Sequence, residues 1–169
     1  LRNWGIVFLG NFAGAMTTAF FVSFILTYGY NTDGGALAAK VASIGESRTL
    51  GYQEHGAAGW FTIFIRGMLC NWMVSMGVVG AMISTSAGAK MVAMWMPVML
   101  FFFMGFEHSI VNMFLFPFSM IMGGEFTIYD YLVWNEIPTV LGNLVGGLFL
   151  VGIPLYLTHV KTSPERKLA

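Results

Sequence analysis

Apolar residues run along this chain in four long blocks: about Trp4 to Tyr28, Trp60 to Ser84, Val92 to Met122 and Pro138 to Thr158. Each block reaches the roughly 20 residues that carry a helix across the hydrocarbon core of a bilayer. The third block is different. A straight helix over 92–122 would measure about 46 Å, well beyond a core of about 30 Å, and Gly105, Glu107 and His108 sit at its centre. The pattern predicts two half-helices with a break near Gly105 to Ser109. Lipid permits such a break only where it faces protein or a water-filled cavity.

Composition fixes the class. Only 9% of the 169 residues are charged and 57% are hydrophobic, with a mean hydropathy of +0.73. This balance implies an all-α membrane protein, a single transmembrane domain over residues 1–169 with the lipid bilayer as its solvent. The formal net charge is zero, so nothing points to nucleic acid. The lone Cys70 offers neither disulfide nor CxxC chemistry. No cofactor is expected: the 13 Met residues come without a His or Cys cluster and read as flexible packing. Trp4, Trp60, Trp95 and Trp134 fall near span ends, where aromatic belts form. With four spans both termini share a side, which holds Arg2, Lys90, Lys161, Arg166 and Lys167 against Glu165 alone among acids. The excess of positive charge predicts a multi-pass protein of the inner (plasma) membrane with cytoplasmic termini. The Gly- and Ala-rich loop from Tyr30 to Gly59 and the acidic loop from Gly123 to Ile137 then face outward.

A short motif recurs. "LGNFAGAM" at 9–16 and "LGNLVGGL" at 141–148 share L-G-N-x-x-G, each in the early half of a predicted span. Two small residues four apart let helices approach closely. Chance recurrence of common residues is the competing reading. If the repeat is real, the last span closes a three-helix unit beginning near Trp60, and the first span closes an earlier copy whose first two helices are absent. Three helices per copy make successive copies enter from opposite faces, the inverted-repeat plan of many transporters. The expected fold is an inverted-repeat six-helix channel with broken helices, of which about four spans are present.

His108 is the leading candidate for chemistry, because an ionisable group at mid-membrane is costly and by default functional. Burial disfavours the imidazolium and an approaching anion favours it, so one ring can be neutral when empty and proton-donating when occupied. That suits the conjugate bases of weak acids, which cross an apolar barrier far more readily as neutral acids. A neutral His buried for packing is the alternative. Asn71 has donors and an acceptor that either hold the imidazole tautomer, contact the anion or act only as interhelical glue. Asn112, four residues after His108 and on the same helical face, either lines the pore or is a satisfied structural amide. Glu107 points away from its neighbour and is expected to anchor the break, accepting freed backbone N–H groups or pairing with an Arg. Arg66 is expected to snorkel, or to pair with Glu107 or a neighbouring subunit. A half-helix starting near Ser109 would aim its positive dipole end at the bilayer centre.

"GFEHSIVNMFLFP" (105–117) together with "RGMLCNWMV" (66–74) resembles the formate/nitrite transporter family from its third span to its sixth. The resemblance implies a homopentamer of six-span protomers, each with its own pore for small monovalent anions such as formate, nitrite or hydrosulfide. It also implies that Asn71 faces the pore His, and that Phe101 and Val74 occupy constriction positions. Many members carry a vestibule Lys about 16 residues before that Asn; here the position is His55, a titratable cation in place of a permanent one. Ser75, Met76 and Gly77 also depart from the usual continuation, a packing change. Competing readings are a haem- or quinone-carrying subunit of a redox complex, a structural membrane protein with a neutral packing His, and a pore for neutral solutes. The first of these wants a second axial ligand that His108 lacks.

Overall fold

The computed structural model describes residues 2–162, and every regular element among them is a helix. In chain order these are α1 (Arg2–Leu26), α2 (Gly35–Ser47), α3 (Leu50–Gln53), α4 (Gly56–Ile83), α5 (Ala87–Phe103), α6 (Ser109–Ile121) and α7 (Ile128–Lys161). Glu165, Arg166 and Lys167, which enter the orientation expectation, lie outside the described residues.

By length and composition α1, α4 and α7 can each cross a membrane. The helices α5 and α6, 17 and 13 residues long, rise about 26 and 20 Å, and neither spans a core of about 30 Å alone. Large apolar side chains cover the outside, with Phe103 86% and Ile83 79% exposed. Such a surface suits lipid and would drive aggregation in water.

Packing follows small residues. α7 lies against α4 so closely that a Cβ at Gly142 would run into the carbonyl of Phe64 and one at Gly146 into that of Met68. On the other side Ala19 of α1, Val41 of α2 and Phe118 of α6 form a buried cluster. The Ser119 hydroxyl donates to the Ala42 carbonyl at 3.2 Å across this contact.

Two stretches differ from expectation. The segment Tyr30 to Gly59 is not a loop: Ala38, Val41, Ala42 and Gly45 recur at helical spacing and bury one face of α2 against α6. Its many Gly and Ala residues masked that stripe because they carry little hydrophobic weight. The last span does not begin at Pro138 either. It starts ten residues earlier at Ile128, where Thr127 and Asp130 form a reciprocal capping box: the Thr127 hydroxyl accepts from the Asp130 N–H at 3.1 Å, and the Asp130 carboxylate accepts from the Thr127 N–H at 2.9 Å. The chain passes Pro138 because a widened π turn over Leu132–Glu136 precedes it, taking up the missing N–H and the ring's clash with the preceding turn. Pro154 follows a second such turn, Leu148–Gly152. Asn135 and Glu136 therefore lie inside a helix and are buried rather than in an outward acidic loop.

Valine at Gly142 or Gly146 should force α7 off α4 and lower the thermal midpoint in detergent by an amount equivalent to about 1–3 kcal/mol. Gly88→Ala, whose Cβ would meet nothing within 4 Å, should leave the midpoint unchanged.

Candidate functional site

The third apolar block is interrupted between Phe103 and Ser109. α5 ends in a Schellman motif: Gly105 takes φ +64°, its N–H donates to the Phe102 carbonyl at 3.1 Å, and the Phe106 N–H reaches back to Phe101 at 3.0 Å. Only glycine enters that backbone region without strain. Residues 106–108 form no regular element, and His108, extended at φ −121° and ψ 116°, leads into α6.

An interrupted backbone inside a bilayer exposes polar groups that lipid cannot satisfy, and one side chain meets two of them. The Asn143 amide nitrogen of α7 donates to the carbonyls of Gly67 in α4 and Glu107 in the break, both at 2.9 Å. Its oxygen accepts the Ser109 N–H, the first amide of α6, at 3.1 Å. A single asparagine thus ties three elements together. The Arg66 guanidinium donates to the Gly105 carbonyl at 3.3 Å and lies 5.7 Å from the centre of the Tyr52 ring. Burial raises the Tyr52 pKa above its ordinary value, so the phenol stays protonated.

Glu107 is fully buried. Its Oε2 accepts from the amides of Asn112 at 3.0 Å and Asn135 at 3.3 Å, and Arg48 stands 3.7 Å away. Asn112 also donates to Asn135 Oδ1 at 2.7 Å, and Asn135 donates to the Arg48 carbonyl at 2.9 Å. This carboxylate therefore binds α6, α7 and the α2–α3 connection into one polar knot. Its cation is Arg48, not Arg66.

His108 makes none of the contacts of that knot. It is half-buried, with its ring stacked at 5.7 Å on Phe101. Its Nδ1 is buried and has no hydrogen-bond partner among the described residues. Asn71 is half-buried on α4 and donates to the Asn143 carbonyl at 2.6 Å, which couples it to the break through the backbone of the clamping residue. Val74 is half-buried one turn further along α4, while His55 is exposed immediately before α4 begins. Asn112 is completely buried with its amide engaged by Glu107 and Asn135. Its placement is that of an anchoring amide.

Sequence reasoning passed over Asn143, Asn135 and Arg48 as participants. Asn143 stood in plain view within L-G-N-x-x-G, where the glycines drew attention as a packing motif. Arg48 and Asn135 read as loop residues and became visible only when α3 and the early start of α7 brought them to Glu107.

The fold and this break place the chain among polytopic membrane proteins built on interrupted helices. It belongs to the formate/nitrite transporter family, whose profile matches residues 1–157. A probable formate transporter of Methanothermobacter thermautotrophicus is 33% identical over 168 residues, covering 95% of this chain and 60% of that protein. The formate channel FocA of Haemophilus influenzae is 32% identical over 177 residues, covering 94% and 59%. A solved structure described as a pentameric formate channel with formate bound superposes with a TM-score of 0.74 at 28% identity, covering 92% of this chain and 65% of that one. These relatives are transporters and channels, not enzymes. The chain spans about 60% of the length of the two sequence relatives.

Asn143→Leu should leave the Glu107 carbonyl and the Ser109 N–H unmet, at about 1–3 kcal/mol each. Thermal unfolding in detergent should show a large loss. Asn71→Leu removes one bond and should cost about 1 kcal/mol.

Proposed function

We propose that this chain supplies the permeation pathway of a channel for small monovalent anions of the formate or nitrite class, with His108 as the group that meets the anion. What carries the reading is the pairing of Glu107 and His108 across the break. The carboxylate is turned into a buried polar knot, and the imidazole is left half-buried at the start of α6, stacked on Phe101 and outside that knot. An anion arriving there finds one neutral donor and the positive end of a helix. The neighbouring Glu107 carboxylate is held by two amides and faced by Arg48 at 3.7 Å, which offsets its charge.

In this reading the imidazole donates a hydrogen bond, or its proton, to the passing carboxylate or nitrite. The ion then crosses the apolar stretches on either side as, or nearly as, the neutral acid. Phe101 and Val74 form those apolar constrictions, Asn71 holds the ring side of α4, and exposed His55 lies in the outer vestibule. Asn112, Glu107 and Arg66 keep the break in shape. The name of the structural relative, a pentameric formate channel, supports assembly as a homopentamer with one pathway per protomer. Placement in the inner membrane with cytoplasmic termini follows from the charge distribution of the loops.

In vesicles carrying the natural protein, His108→Phe should reduce formate flux about ten- to a hundredfold, the effect of losing one hydrogen bond of about 1.5–3 kcal/mol to a charged group. The protein should remain folded. Unchanged flux in that variant would reject the reading. A Soret band in the purified protein would favour a redox subunit, and glycerol flux indifferent to His108 would favour a neutral-solute pore.

A further inference from the structure

Arg66 lies within the membrane-spanning helix α4, where a charge without a partner is costly. It pairs with no carboxylate all the same: the ion pair among the described residues is Arg48 with Glu107. A guanidinium carries five N–H donors. One bond goes to the Gly105 carbonyl at 3.3 Å, and the Tyr52 ring lies 5.7 Å from the guanidinium carbon. The donors of Arg66 outnumber the acceptors that the chain gives them.

A second guanidinium reaches the same place. Apart from its neighbours in the chain, a Cβ built on Gly105 would have Arg48 Nη2 at 3.9 Å and Arg66 Nη1 at 4.0 Å, and nothing nearer. The glycine thus presents an open face with two cations around it. Arg48 is shared without being used up: its Nη1 faces Glu107 at 3.7 Å, and the other nitrogen is the one beside Gly105. The place is not sealed, since the Arg48 side chain is 26% exposed and Arg66 and Tyr52 are half-buried. Two guanidinium groups against one carboxylate leave a single positive charge. Like charges brought this close repel unless an anion joins them.

We propose that Arg48 and Arg66 form an anion-binding site over the open face of Gly105, built for a planar monovalent anion with two oxygens, a carboxylate or nitrite. The charge count sets the valence, because one negative charge balances the cluster. The donor geometry sets the shape: a guanidinium is a flat fork that matches two oxygens in a plane, and two such groups can each take one oxygen of the same ligand. A spherical anion such as chloride has no second oxygen to offer. The Tyr52 ring beneath Arg66 keeps that fork in position. His55, exposed ahead of α4, takes no part in these contacts. Gly105 opens the break that ends at His108, so an anion held here stands next to the proposed pathway. That it then permeates rests on the anion reading above; the convergence of the two guanidinium groups does not.

The test compares the natural protein with its Arg48→Gln and Arg66→Gln variants in two measurements. One is thermal protection in detergent by sodium formate against sodium chloride at equal ionic strength; the other is the formate concentration that half-saturates flux in vesicles. Formate should protect the natural protein where chloride does not. Each variant should need roughly ten- to a hundredfold more formate for half-protection, the effect of losing one hydrogen bond to a charged group, and its half-saturating concentration should rise alongside. If Arg66 only holds the Gly105 carbonyl and Arg48 only balances Glu107, the variants will melt earlier without formate and keep both concentrations unchanged. That result overturns the proposal, as does equal protection by the two salts. Where a glutamine variant does not assemble, Arg48→Lys and Arg66→Lys are read instead, since lysine keeps the charge and loses the fork. A rise in the half-protecting concentration there supports the site, and an unchanged value rejects it. His108→Phe measured alongside separates the two claims: if it leaves formate flux intact, the anion reading fails, while protection by formate still decides whether the two arginines bind it.

Discussion

A helix cannot be interrupted inside a bilayer unless the backbone groups it releases find partners in the protein, and the described fold is organised around meeting that demand at one place. The Schellman turn at Gly105 recovers the first two amides of the break. Arg66 takes the Gly105 carbonyl, and Asn143 takes the Glu107 carbonyl and the Ser109 amide. Each partner comes from a different helix. The break is thus a junction that α4 and α7 must both reach, and the close approach of those two helices at Gly142 and Gly146 is what brings Asn143 within range.

The same economy separates adjacent residues by role. Glu107 and His108 are neighbours in sequence, yet Glu107 joins the polar network while His108 stacks on Phe101. One oxygen of the buried Glu107 carboxylate is held by two amides and faced by an arginine, while its second oxygen has no partner among the described residues. The imidazole has aromatic support instead of such partners. A negative charge beside an anion pathway would oppose permeation, and the contacts of Glu107 with Asn112, Asn135 and Arg48 offset it. The polar knot is therefore a condition for the proposed chemistry as well as for the fold.

Local devices elsewhere serve the same geometry. The π turns ahead of Pro138 and Pro154 let α7 run unbroken from Ile128, which carries Asn135 into the knot and Asn143 to the break on one rigid element, two turns apart. The helix α2 brings the chain back over α6 and sets Arg48 beside Glu107.

Much of this was legible from residue order alone. Apolar length marked the membrane class and the four blocks, and the excess length of the third block, with Gly105 and two ionisable residues at its middle, located the break to within a residue or two. Hydrophobic thickness is a one-dimensional constraint, so a one-dimensional reading suffices for it. Contacts between distant residues are not of that kind. Which arginine faces Glu107, why Asn143 matters more than its flanking glycines, and that Asn135 lies in a helix rather than a loop depended on the angle and register at which α2, α4 and α7 meet around the break. Those angles are set by where small residues allow backbones to touch and where a widened turn absorbs a proline. Many pairs of polar residues along the chain satisfy the same chemistry on paper, and only the packed helices decide which of them come within 3 Å of one another.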